Sequence, residues 1–298
     1  MGMSDPSRRA APFIEHLGSR ALAPRARAYE TLHICVARGA LPGAESRFAD
    51  RMLALWFEDG VTTLVFESPH ETAVRAFIQD TCPGAEFLWE GKMPYGNWEA
   101  GAPVRATHLA GFAICPPWDM CEPQPCETRI IMDAGLAFGS GLHPATHISL
   151  ALLRAAMVRA RPRRVLDLGC GTGILSMAAL LLGAERATAV DYSLLAVNAA
   201  SINAHLNGLQ DRMRIIHADL FAHLAHEADL VLCNMNFPLF DRLLSDPDFL
   251  AHQRILLCGV NPETMHRQVC AKLTDAGREI TAMQTRHGWY GYLTERKP

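Results

Sequence analysis

The residues with the clearest chemical potential lie in Val165-Leu-Asp167-Leu-Gly169-Cys-Gly171-Thr-Gly173-Ile-Leu175. An apolar run enters a turn of three alternate glycines and leaves as a helix. Only glycine lets the backbone bend so tightly and lets a ligand touch main-chain atoms. The spacing is GxGxG, not the GxGxxG of dinucleotide folds. Asp167 stands two positions before Gly169. A carboxylate there repels a pyrophosphate but can pair with the ammonium of a methionine moiety. Asp191, at the end of the next expected strand, can accept from both hydroxyls of a ribose. Asp219, after the strand beyond, is placed to reach an adenine edge. Asn234 completes the series in Asp229-Leu-Val-Leu-Cys-Asn234-Met-Asn236-Phe237-Pro238. Its amide oxygen can accept from an amine nucleophile and orient the lone pair. In this order the residues point to S-adenosylmethionine as cofactor and to methyl transfer onto an amine. The plainer alternatives are helix capping for Asp167 and Asp191, a loop position for Asp219 and Asn236, and a strand-end turn for Asn234.

Such a reaction is a direct displacement from a sulfonium, so it needs proximity, alignment and a neutral nucleophile. A lysine must first lose its proton, which burial away from cations favours. No catalytic triad is expected. Of the 13 histidines only His143 sits in a motif, where shaping a loop suits it better than acting as a base.

Positioning these groups takes a parallel sheet. Strands are expected at Arg164–Leu168, Ala187–Asp191, Met213–His217, Asp229–Asn234 and Arg254–Gly259, with helices between them. That alternation predicts a doubly wound α/β fold. Glu279–Gln284 and Gly288–Glu295 read as a terminal hairpin, and a hairpin ending a parallel sheet is the mark of class I methyltransferases. Upstream, Thr31–Val36, Val61–Phe66 and Ala85–Trp89 read as strands. Glu45–Phe57 reads as a helix, with Phe48, Met52, Leu53 and Trp56 at helical spacing. A second helix runs from Ser68, its cap, to about Asp80, with Glu71 completing a capping box. This order suggests a small α+β module of ferredoxin-like type. The division expected is a mobile leader over 1–28, the module over 29–91, a linker over 92–128 containing a short strand at Phe112–Cys115, and the methyltransferase domain over 129–298.

Hydrophobic residues make up 49% of the 298 and charged residues 20%, enough to bury a full core. A net charge of -3 gives no global case for nucleic acid or membrane surfaces. No apolar run is long enough to span a bilayer, and the N-terminus lacks a signal-peptide core. Met1-Gly2 is no myristoylation signal, because Pro6 sits where Ser or Thr is wanted. Asp5 and Glu15 speak against a transit peptide. Nine cysteines without a CxxC pair suggest free thiols in a reducing cytoplasm, and no metal site, even at the close group Cys115, Cys121 and Cys126.

Ahead of the glycine turn stands Gly135-Leu-Ala-Phe138-Gly139-Ser140-Gly141-Leu-His143-Pro144-Ala-Thr146. This segment resembles the PrmA family, methyltransferases of ribosomal protein eleven of the large subunit, which carry GxAFGTGxHxTT here. The likeness extends to Ile114–Trp118, to Cys258-Gly259-Val260 and to Trp289, and covers roughly residues 97 to 298. It implies that Phe138 packs near the cofactor, that the Gly139 and Gly141 backbone lines its methionine end, and that the Thr146 hydroxyl works in the first turn of the next helix. Ser140 keeps the hydroxyl of the family's Thr, Leu142 fills a variable position, and Ala145 loses the first Thr of the pair. The family's N-I-L, which begins at the strand-four Asn, is replaced by Asn234-Met-Asn236-Phe237, which lies between that stretch and the NPPF or NPPY of other N-methyltransferases. Asn97-Trp98-Glu99 is similar to the family's DWE, with a shortened stretch after it. The resemblance implies a monomeric, cytoplasmic enzyme acting on lysine or N-terminal amines of that ribosomal protein, with 29–91 gripping the substrate and no direct contact to nucleic acid. A different protein or a small molecule is the alternative substrate. A non-catalytic NAD-binding protein is a third reading, opposed by the glycine spacing.

Overall fold

The computed structural model describes residues 14–19, 23–99, 103–235 and 237–297. The chain divides into two compact units, one of residues 1–24 and 28–98, the other of residues 25–27 and 99–298.

The first unit is a five-stranded antiparallel sheet in the order β1-β3-β4-β2-β5. Its strands are β1 (Ile14–Leu17), β2 (Thr31–Arg38), β3 (Met52–Glu58), β4 (Val61–Phe66) and β5 (Glu86–Pro94). Helix α1 (Ala44–Arg47) is one turn, α2 (Glu71–Thr81) crosses between β4 and β5, and α3 (Tyr95–Glu99) follows β5. Without β1 this is the β-α-β-β-α-β order of a ferredoxin-like module. Val74 and Ile78 of α2 pack on Cys35, Leu64 and Phe66 of the sheet.

Three readings of this unit are corrected. Glu45–Phe57 is not a helix: α1 ends at Arg47 and Met52 begins β3. Met52–Leu55 are all buried, and short continuous apolar runs fit a strand paired on both sides as well as a helix. The partners β1 and β4 decide it. The expected leader contains β1, which pairs Ile14–Leu17 with Phe57–Ala54. The N-cap of α2 is His70 and makes no side-chain capping bond, so the Ser68–Glu71 box does not form.

The stretch expected as a linker also folds, into a small sheet of β6 (Thr107–Leu109), β7 (Phe112–Cys115) and β8 (Thr128–Ile131). Ala110 and Gly111, both at positive φ, turn β6 into β7, and β7 is wholly buried.

The second unit continues with α4 (Pro144–Ala160), β9 (Arg164–Leu168), α5 (Ile174–Leu181), β10 (Arg186–Asp191), α6 (Leu194–Leu206), β11 (Met213–His217) and β12 (Leu230–Asn234). It ends with α7 (Phe237–Leu243), α8 (Pro247–Leu250), β13 (Arg254–Val260), α9 (Glu263–Asp275), β14 (Arg278–Arg286) and β15 (Trp289–Arg296). The seven strands run in the order β11-β10-β9-β12-β13-β15-β14, with β15 antiparallel to both neighbours. This is the expected doubly wound sheet with its hairpin. Residues alternate between two cores. Val165, Leu230, Leu232 and Leu256 pack under α4, α5 and α6, while Leu166, Leu168, Val231 and Leu257 pack under α7, α8 and α9. Strand order reverses between β9 and β12, so the loops at their carboxyl ends splay apart and leave a crevice. Among the described residues no helix is long and apolar enough to cross a membrane.

Candidate cofactor site

The glycine turn occupies that crevice. Gly169, Gly171 and Gly173 have φ of 71°, 53° and 78°, where a side chain is strained. A Cβ on Gly171 would lie 2.4 Å from the Phe138 carbonyl oxygen. The turn therefore holds the preceding loop against itself: the Thr172 N–H donates to that oxygen at 3.0 Å, and the Thr172 hydroxyl donates to the Gly139 carbonyl at 2.9 Å.

Asp191 ends β10 beside the turn. One carboxylate oxygen accepts from the Gly171 N–H at 2.9 Å and the other from the Ser193 N–H at 3.0 Å. Burial, at 8% exposure, raises its pKa, against the pull of these N–H donors. The Tyr192 N–H is a third donor to this carboxylate, which leaves it about one further acceptor position for a ligand.

A cavity of about 360 Å³ opens at the same place. Of the residues singled out in the sequence, Phe138, Gly169, Asp191 and Asn234 line it, as does His143. Phe138 is 54% exposed, and its ring meets His143 edge-on at 5.3 Å, which in turn meets Trp289 at 4.6 Å. His143 caps α4: its Nδ1 accepts from the Ala145 N–H at 3.2 Å. That bond assigns the neutral ring's proton to Nε2, and burial lowers the pKa. The imidazole thus lines the cavity in its neutral form while its Nδ1 is committed to the helix cap.

Other expected residues stand behind the lining. Asp167 is 1% exposed, and one oxygen accepts from both the Ser176 N–H (3.1 Å) and the Ser176 hydroxyl (2.7 Å). Burial pushes its pKa up to about 7. In this state Asp167 fastens β9 to α5. Asp219 caps a short 3₁₀ turn by accepting from the Phe221 N–H at 3.0 Å, while its neighbour Leu220 faces the cavity. Gly139, Gly141 and Gly173 shape the backbone at positive φ. Thr146 is fully buried in the first turn of α4, and its hydroxyl has no hydrogen-bond partner among the described residues. Asn236 lies outside the described residues. Tyr192, Met235 and Leu239 line the cavity without having been singled out, and Gly259, named in the sequence only as part of the family likeness, lines it too. Gly259 alone carried a signal, as a glycine ending a strand. Its φ is 107°, and a Cβ there would sit 2.1 Å from the Met235 carbonyl oxygen.

The family model of ribosomal protein L11 methyltransferase (PrmA) matches residues 95–297, about two thirds of the chain. The chain belongs to this family. A ribosomal protein L11 methyltransferase from Thermosynechococcus vestitus is 39% identical over 198 residues, 64% of this chain and 61% of that one. One from Anoxybacillus flavithermus is 30% identical over 188 residues, 62% and 60% of the two chains. The chain thus spans about three fifths of the length of these relatives. The solved structure of a ribosomal protein L11 methylase from Lactobacillus delbrueckii subsp. bulgaricus has a TM-score of 0.56 at 29% identity, covering 63% of this chain and 96% of that one. The family match begins at Tyr95, so all but the last few residues of the small unit lie before it.

Proposed function

We propose that the chain is an S-adenosylmethionine-dependent N-methyltransferase of the cytoplasm whose substrate is ribosomal protein L11. The observation that carries this reading is the cavity at the switch point of the sheet, where Gly169, Asp191, Asn234 and Phe138 converge. The residues suit the cofactor. Asp191 has acceptor capacity left for a ribose hydroxyl, Gly169 allows close approach to the main chain, and the buried Thr146 hydroxyl has no partner among the described residues. Asp167, Gly139, Gly141, Gly171 and Gly173 support the site from behind. The cofactor supplies an electrophilic methyl group on a good leaving group.

The chain's own residues then have three tasks. Asn234, half-buried at the end of β12, offers its amide oxygen to the N–H of the incoming amine and aligns the lone pair. The apolar and aromatic lining disfavours an ammonium and so favours the neutral amine. The Phe138, His143 and Trp289 rings exclude water from the reacting atoms. Residues 29–91 would present the protein substrate.

The test is transfer of a labelled methyl group to purified, unmethylated ribosomal protein L11, with the modified residues mapped by mass spectrometry. Labelling of lysine or the N-terminal amine supports the reading. Binding of S-adenosylhomocysteine without any transfer to that protein would remove the substrate assignment and keep the cofactor.

A further inference from the structure

Arg25 lies far outside the stretch that matches the family, residues 95–297. The chain on both sides of it belongs to the small module, yet Arg25–Arg27 belong to the methyltransferase unit. There the guanidinium meets the Asp133 carboxylate as a fork. Nε donates to Oδ1 at 2.9 Å and to Oδ2 at 3.1 Å, Nη2 donates to Oδ1, and the Arg25 main-chain N–H donates to Oδ2 at 2.9 Å. Both side chains are more than nine-tenths buried, at 9% and 6% exposure. The guanidinium also stacks 4.7 Å from the centre of the Trp118 ring. A bidentate, buried pair with a stacked cation holds its geometry far better than an exposed one.

What the pair holds is the start of the loop that walls the cavity. Asp133 Oδ1 also accepts from the Gly135 N–H at 3.0 Å. The Asp133 main chain exchanges two hydrogen bonds with the Asn203 side chain, which donates on to the Thr172 carbonyl at 3.0 Å. Thr172 in turn grips Phe138 and Gly139. The loop needs such anchors. Gly135, Gly139 and Gly141 sit at φ of 58°, 114° and 94°, and glycines lose much freedom when fixed. The far end is secured by the His143 cap of α4.

We propose that Arg25 is a positioning residue for the cofactor: it clamps Asp133 and thereby holds the Gly135–His143 loop in the shape that walls the cavity. This rests on the reading that the cavity takes S-adenosylmethionine. Without Arg25 the buried Asp133 carboxylate loses the cation it is paired with, a change that drives it towards water and away from Gly135. The free protein then spends less time with the loop in place, and apparent cofactor affinity falls by that fraction.

The test compares full-length wild type, Arg25→Ala and Arg25→Lys in two measurements. The first is amide hydrogen exchange of the ligand-free proteins. The second is calorimetric titration with S-adenosylhomocysteine. In Arg25→Ala, exchange over 135–143 should rise about tenfold or more while the strands of the large sheet keep their protection. Affinity for S-adenosylhomocysteine should fall about tenfold, and exchange over 135–143 should return towards the wild-type level at saturating S-adenosylhomocysteine, because bound ligand re-forms the loop. Arg25→Lys keeps a charge but not the fork, so it should fall between the two. Loop exchange unchanged from wild type, or raised equally across the whole unit, overturns the proposal. Should Arg25→Ala not fold, Arg25→Lys carries the same comparison, and unaltered loop exchange in it is equally fatal. A wild type that binds no S-adenosylhomocysteine would overturn the cofactor reading, while the exchange data would still judge the clamp.

Discussion

Asn234 and Asp167 show how differently two polar side chains serve one site. Asn234 reaches the cavity at the end of β12, in the position from which an amide oxygen can meet a nucleophile. On the proposed reading its contribution belongs to alignment in the transition state and not to holding the cofactor. Asn234→Ala should therefore lower kcat about tenfold or more while cofactor affinity stays within about threefold. Steady-state rates paired with calorimetry check this, and turnover at the wild-type rate would take the orienting role away from Asn234. Asp167 behaves in the opposite sense. Its pKa rises from 3.8 to about 7 because burial penalises the charged form. A raised folded-state pKa means that the stabilising contribution is fully present below about pH 4 and is lost as pH climbs towards 7. Asn at this position can still accept from Ser176 and never ionises. Asp167→Asn should thus leave the ligand-free protein more stable than wild type at pH 8, on the order of 2 kcal/mol, with the gap closing towards pH 4. Denaturant melts at the two pH values decide it: a gap independent of pH would show that Ser176 fully compensates the buried charge. Which donor takes a carboxylate is not legible in a sequence. Of the ordered series of acids, Asp167 and Asp219 turn to nearby N–H groups, while Asp191 also faces the cavity.

Between elements, the deciding contact is the glycine turn against the loop before it. At Gly171, φ is 53° and the space a methyl group would fill already holds the Phe138 carbonyl oxygen, 2.4 Å away. Backbone cannot yield there as a flexible side chain could. Gly171→Ala should leave the seven-stranded sheet folded and push the loop off the turn, with affinity for S-adenosylhomocysteine down about tenfold or more from strain alone. Circular dichroism together with calorimetry reads both halves, and affinity within about twofold of wild type would mean that loop and turn need not touch to bind. Elements such as this turn are legible because their cause is local: a glycine at positive φ is required whatever surrounds it. The strands of the large sheet are legible for a related reason, since their apolar runs are bounded by helices and turns on both sides. β3 is different. Met52–Leu55 are apolar without interruption, and only pairing with β4 and with the distant β1 makes them a strand. β6 and β8 are three and four residues long, too short for a period, and acquire their structure from β7 between them. The apolar lining residues Leu220, Met235 and Leu239 carry no chemical mark at all. Tertiary pairing and burial, not local preference, hold the information that a single sequence leaves out.

At the scale of the molecule, the two units ask whether the methyltransferase half is complete when cut from the small module. Its two hydrophobic cores draw only on residues from Leu109 onward, and every cavity-lining residue lies after Gly135. A chain beginning at Glu99 should therefore fold cooperatively on its own. It would lack Arg25, however, and with it the cation beside Asp133. Cofactor binding should survive, weakened about tenfold relative to the full chain, in line with the Arg25→Ala variant and not with a ruined site. Transfer to ribosomal protein L11 should drop much further. A recognition module raises the effective concentration of the target amine at the active site, so its loss acts on kcat/KM for the protein substrate far more than on the cofactor. The decisive comparison sets the truncated chain beside full-length Arg25→Ala, with cofactor titration and methyl transfer on the same samples. Equal cofactor affinities with unequal transfer would separate the clamp from the recognition module. Transfer retained by the truncated chain would deny the module any part in recognition, and wild-type cofactor affinity in it would leave Arg25 with no role in the site.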